Sequence, residues 1–94
     1  MRPIHPGEVL REDFLKELGM SANALAKALN VPAPRINDIV RERRGVSADT
    51  ALRLARYFNS TPQFWLGLQA AYDLRVAEIA SGKQIKREVP VMSS

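Results

Sequence analysis

The chain contains no cysteine and only one histidine, His5, among its 94 residues. Without thiols there are no disulfide staples, thiolate metal sites or cysteine nucleophiles, and no redox compartment can be read from cysteine usage. One imidazole is too few for a zinc cage or for most acid–base constellations, so neither a metal nor a cofactor is expected. Serine and aspartate are present, but no glycine-rich nucleophile turn or phosphate loop accompanies them, and an enzyme is not expected. Long apolar runs are missing too. The opening Met1-Arg2-Pro3-Ile4-His5-Pro6 has neither a signal pattern nor a spanning segment, which predicts a cytoplasmic, complete chain with no membrane partner.

What is present is an ordinary soluble mixture, 46% hydrophobic and 26% charged, of a length that leaves no room for a second full domain. The formal charge of +4 is modest. It is also unevenly placed: residues 1–30 hold four basic and four acidic groups, 31–60 six and three, 61–94 four and three. All six basic residues of the middle third are arginine, whose planar fork suits bidentate phosphate or guanine contacts. Arg35, Arg41, Arg43 and Arg44 fall within ten residues, diluted by Asp38 and Glu42. A solvated helix end is the plainer account of such a run.

Punctuation and periodicity predict an all-α chain of five helices, at about 7–18, 21–29, 34–41, 48–58 and 62–80, forming one domain over 1–80. In the first, Leu10, Phe14, Leu15 and Leu18 share a face, Pro6 takes the first turn and Gly19 supplies a left-handed stop. Ser21 caps the second, with Met20 placed as a staple on Leu25, and Asn30 ends it. The third begins at Pro34 and turns Ile36, Ile39 and Val40 inward. Ser47 caps the fourth, which buries Ala51, Leu52, Leu54, Ala55 and Phe58. Thr61-Pro62 opens the fifth and Ser81-Gly82 closes it. The remainder, 81–94, reads as a frayed tail or an edge strand, since Pro90 argues against a central one.

Segments two and three form the pattern of a helix-turn-helix. Ala26 is small enough for a close helix crossing, Asn30 tolerates the left-handed bend, Val31 plugs the corner, and Leu25, Leu29, Ile36 and Ile39 weld the pair. A plain αα-hairpin is the competing account. In the fifth helix, Trp65, Leu68, Tyr72, Val76 and Ile79 form one stripe, longer than a core of this size covers. Leu68, Tyr72, Val76 and Ile79 are therefore a candidate dimer seam, with monomer core as the alternative. Phe64 and Trp65 fit a core better than a base-stacking platform, and His5 fits a helix cap or packed residue better than a ligand. Glu8, Glu12, Asp13 and Glu17 form a solvated acidic face or a surface for a basic partner.

The run Ser21 to Val31 resembles the start of the lambda-repressor-like, Xre-type DNA-binding domain. More narrowly, His5-Pro6-Gly7-Glu8, Pro34-Arg35-Ile36, Arg44-Gly45-Val46-Ser47-Ala48-Asp49-Thr50-Ala51, Arg53-Leu54-Ala55 and Phe64-Trp65-Leu66 resemble HigA-type antitoxins of bacterial toxin–antitoxin modules. The resemblance implies a dimeric repressor that binds double-stranded DNA at a palindromic operator of its own operon and neutralises a co-encoded HigB/RelE-like mRNA-cleaving toxin. A stand-alone regulator of the same fold is the alternative. By position, the third helix would enter the major groove with Ala33, Pro34, Arg35, Asn37, Asp38 and Arg41 facing bases. Arg35 suits guanine, Asn37 adenine, and Ala33 or Pro34 a thymine methyl. Arg43, Arg44, Asn23, Ser47 and Thr50 would hold backbone phosphates.

Overall fold

Each helix begins where a side chain or a proline can satisfy the first turn. The computed structural model describes residues 1–93, among which there are five helices and no strand. Helix α1 is continuous through an α-turn at Pro6–Val9, a π-helical stretch at Leu10–Leu15 and a last α-turn at Lys16–Leu18. His5 caps it, its Nδ1 accepting from the Gly7 amide at 2.8 Å. The wider π-turn places Leu10 and Leu15 over one another, and both are buried. Leu18 falls off that face and is 59% exposed, against the inward position expected for it. Gly19, at φ +60°, ends the helix.

Helix α2, Ala22–Leu29, is capped by Ser21, whose hydroxyl accepts from the Ala24 amide, and stopped by Asn30 at φ 59°. Helix α3 is Ala33–Val40, one residue ahead of the expected start. Pro32 serves as the N-cap in extended conformation, so Ala33 and Pro34 both fit the first turn, where the missing amide hydrogen of proline costs nothing. The chain then turns with Glu42 at φ 63°. Arg11 of α1 ties this turn down, donating to the Val40 carbonyl and, at 3.3 Å, to Glu42. Helix α4, Ala48–Phe58, runs from the Ser47 cap to Asn59 at φ 54°.

Helix α5 spans Pro62–Glu88 from a Thr61 cap. Its length corrects the expected end at Ala80 and the reading of 81–94 as tail or strand. Gly82 costs only about 1 kcal/mol inside a helix, and good helix formers surround it. The stop is Pro90, which turns Val89 to the extended region, with Lys86 and Arg87 suiting the helix's negative end. Residues 89–93 are non-helical, and Ser94 lies outside the described residues.

The core lies where the first four helices meet the start of α5. Leu10, Leu25, Ile36, Ile39, Leu54 and Trp65 are fully buried. Phe14 centres an aromatic group, 4.8 Å from Phe58 and 5.0 Å from Trp65 between ring centroids. The Trp65 indole donates to Ser60 Oγ at 3.1 Å, so its burial leaves no orphan donor. Leu52 departs from the inward set at 59% exposure. Gly7 marks the tightest approach: a Cβ there would lie 1.7 Å from the Ile39 carbonyl oxygen, so α1 packs backbone to backbone on the end of α3.

Candidate nucleic-acid interface

The outward side of α3 is defined by what holds its inward side. Ala26 and Leu25 of α2 are buried against Ile36 and Ile39, with Val31 packed at the corner. The Val31 amide donates to the Ala26 carbonyl and that of Asn30 to Lys27, closing the end of α2. This leaves Arg35, Asn37 and Asp38 half-exposed and Pro34 exposed on the uncovered side of one rigid helix, with Arg41 exposed at its C-cap, whereas Ala33, expected to face bases, packs partly against the core.

Three of them are already engaged, Asp38 in an ion pair with Arg44 and two through hydrogen bonds. The Arg35 guanidinium donates through Nη1 to Asp49 Oδ2 at 2.8 Å. Asp49, in the first turn of α4, also accepts from Arg53 Nε at 2.9 Å, and Arg53 Nη1 donates to the Leu29 carbonyl at 2.9 Å. The hydrogen bond from Arg53, followed by that from Arg35, holds the Asp49 carboxyl below its ordinary range against the opposing effect of desolvation. Asn37 Nδ2 donates to Asn23 Oδ1 at 2.7 Å and to the Ala33 carbonyl at 3.0 Å. Both amide hydrogens are thus spent, and Asn37 presents an acceptor where the sequence suggested a donor–acceptor pair for adenine.

The expected phosphate group divides. Arg44 and Ser47 line one cleft of about 330 Å³ with Arg35 and Asp49 at the start of α4, where unpaired amides and the helix dipole attract an anion and the Asp49 carboxylate repels one. Arg44 is 3.6 Å from Asp38, an ion pair that exposes both partners. Arg41 and Arg43 form no ion pair among the described residues. Asn23 is exposed, its side-chain carbonyl occupied by Asn37. Thr50 departs from the expectation: it is only 2% exposed and its hydroxyl is engaged with that of Ser47 at 3.3 Å. It therefore holds the cap in place and offers no free hydroxyl to phosphate.

Sequence reasoning gave Asp49 and Arg53 places in a family pattern and no role at the site. Their spacing of four residues in the first turns of α4 was the available signal. The acidic face of α1 is also less open than its sequence suggests. Glu8 is bound by Arg2 at 2.6 Å, which holds its carboxyl below the ordinary value, and Glu12 by Lys16 at 2.6 Å and Arg11 at 2.9 Å.

A helix-turn-helix family model matches residues 12–65. Virulence-associated protein I of Dichelobacter nodosus is 64% identical over 78 residues, covering 83% of this chain and 72% of that protein. Antitoxin HigA-1 of Vibrio cholerae is 38% identical over 74 residues, 78% of this chain and 69% of its own length. The antitoxin HigA of Pseudomonas aeruginosa, solved with the higBA promoter, superposes with a TM-score of 0.96 at 56% identity, over 98% of this chain and all of that one. The chain belongs to the helix-turn-helix family and, within it, to the HigA antitoxins.

As a HigA-family chain it carries a part that the helix-turn-helix match leaves out, the length of α5 beyond Trp65. The N-terminal arm lies along this helix: Arg75 Nε donates to the Met1 carbonyl at 2.8 Å, and the His5 ring meets Tyr72 edge-on at 4.8 Å. Of the four seam candidates, Leu68 and Tyr72 are half-buried by this arm and the core. Val76 and Ile79 are 40% and 60% exposed. No helix among the described residues is long and apolar enough to cross a membrane.

Proposed function

We propose that this chain binds a palindromic operator of its own operon as a dimer, reads it with α3, and neutralises a co-encoded RelE-like mRNA-cleaving toxin. The observation that carries the proposal is the uncovered side of α3, whose inward side is locked by α2 and whose ends are flanked by arginines and the start of α4. The Pseudomonas aeruginosa relative solved with a promoter supports the DNA half of the reading. The family name supports the toxin half.

Base readers and phosphate holders separate in a binding titration. Against its own promoter palindrome and a scrambled duplex, the chain binds the palindrome more tightly, and affinity falls steeply with salt as arginines displace counterions. Arg35→Ala loses preference at one position per half-site, about 1–3 kcal/mol. Arg43→Ala and Arg44→Ala weaken both duplexes alike and reduce the salt slope by about one each. Equal affinity for the two duplexes would overturn the operator reading. For the toxin, the product of the adjacent reading frame cleaves mRNA alone and stops when this chain is added; continued cleavage overturns that half.

A further inference from the structure

The Arg35 guanidinium is held from one side only. Nη1 is bound to Asp49, and among the described residues Nε and Nη2 donate to no protein acceptor. The anchor is itself fixed, because Asp49 accepts from Arg53, and Arg53 donates onward to the Leu29 carbonyl at the end of α2. One connected set of charge-assisted hydrogen bonds therefore ties the start of α4, the end of α2 and the base-facing side of α3 together. A long arginine side chain otherwise loses considerable rotamer entropy when it binds, and fixing it beforehand removes part of that cost. The edge left open, Nε with Nη2, is a planar pair of donors of the kind that matches the two acceptors of a guanine.

We propose that Asp49 is a specificity-determining positioning residue: it orients Arg35 so that the free edge of its guanidinium meets a guanine, while its own negative charge disfavours registers that would place a phosphate in the same cleft. This inference rests on the operator reading above. Asp49 acts in two directions, strengthening the correct site through Arg35 and weakening others through repulsion. A residue that only supported the fold would change all sequences together.

The test is a double-mutant cycle on the full chain, read on the operator, on operators with each base pair substituted singly, and on scrambled duplex. Asp49→Asn lowers operator affinity about tenfold, a coupling of the usual size between interacting groups, and raises affinity for scrambled duplex. Its loss of preference is confined to the guanine position that Arg35→Ala also relaxes. In the Arg35→Ala background, Asp49→Asn produces no further loss on the operator. Asp49→Glu, which keeps a carboxylate in the first turn of α4, recovers part of the preference, and thermal melting identifies any variant that has failed to fold. A folded Asp49→Asn chain that keeps its guanine preference overturns the proposal, as does an equal loss with and without Arg35. A wild-type chain without preference for the operator overturns instead the reading on which this rests.

Discussion

The two ends of α5 are built from similar residues and have opposite surroundings. Near its start Trp65 is fully buried and Leu68 packs on the core, whereas farther along Leu74, Ile79 and Ile85 are 63%, 60% and 50% exposed. The difference comes from the layers available to cover them. Helix α4 and the first turn of α1 pack on the start of α5 and then end, while α5 continues, giving the molecule dimensions of 53 × 23 × 22 Å. Most helical stability in proteins comes from packing of an apolar face rather than from propensity. The distal part holds its shape as a continuation of a packed segment, and its apolar side chains remain available to a partner.

The largest effects should separate the two ends. Trp65→Ala removes the most voluminous fully buried side chain and should cost about 3–5 kcal/mol, a large share of the roughly 5–15 kcal/mol typical of a domain. Ile79→Ala, measured by urea unfolding below the concentration at which the chain dimerises, should change stability by less than about 0.5 kcal/mol. Comparable losses would mean that the distal helix has a partner within the chain.

Val76→Asp makes the distal end the one that fails. A carboxylate in an apolar seam is expensive to bury, so sedimentation should shift to the monomer. Two half-sites about one helical turn apart need two linked heads, and losing the link should lower operator affinity about a hundredfold. Tyr72→Asp should do the same but also disturbs the contact with His5. A dimer that survives Val76→Asp moves the interface off this stripe.

Cap chemistry explains why so much of the head was legible in the sequence. Ser21, Asn30, Ser47 and Thr61-Pro62 act within three or four residues of themselves, and each sits where its chemistry predicts. The end of α5 was misplaced because Ser81-Gly82 is a local penalty that the helix formers around it override. Leu18 and Leu52 were assigned inward on periodicity, but the π-turn in α1 and the edge of α4 rotate them to solvent. At the site, the outward set on α3 followed from its inward set except for Ala33, which packs partly on the core. The engagement of Arg35 by Asp49 and of Asn37 by Asn23 did not, since each pair spans 14 residues and depends on how helices cross.

The smallest expected effect lies where head and distal helix join. His5 Nδ1 accepts from the Gly7 amide while the ring meets Tyr72, and only the neutral ring can accept there. Burial lowers its pKa below the ordinary 6.5, with Arg11 adding to the shift and Glu42 and Asp73 opposing it. Between the folded and unfolded values the unfolded chain binds more protons, so stability rises with pH in that window. The contribution is fully present above 6.5 and is lost as pH falls through the lower folded value. Melting temperature should therefore fall as pH is lowered below the ordinary 6.5. His5→Asn keeps an N-cap acceptor that does not titrate and should flatten this slope, at some cost in baseline from the lost contact with Tyr72. The carboxylates of Glu8 and Asp49, held below their ordinary values, lose their contributions only at lower pH, outside this window. An unchanged slope in His5→Asn would show that another group titrates at the junction and that the His5 cap does not couple the two regions to pH.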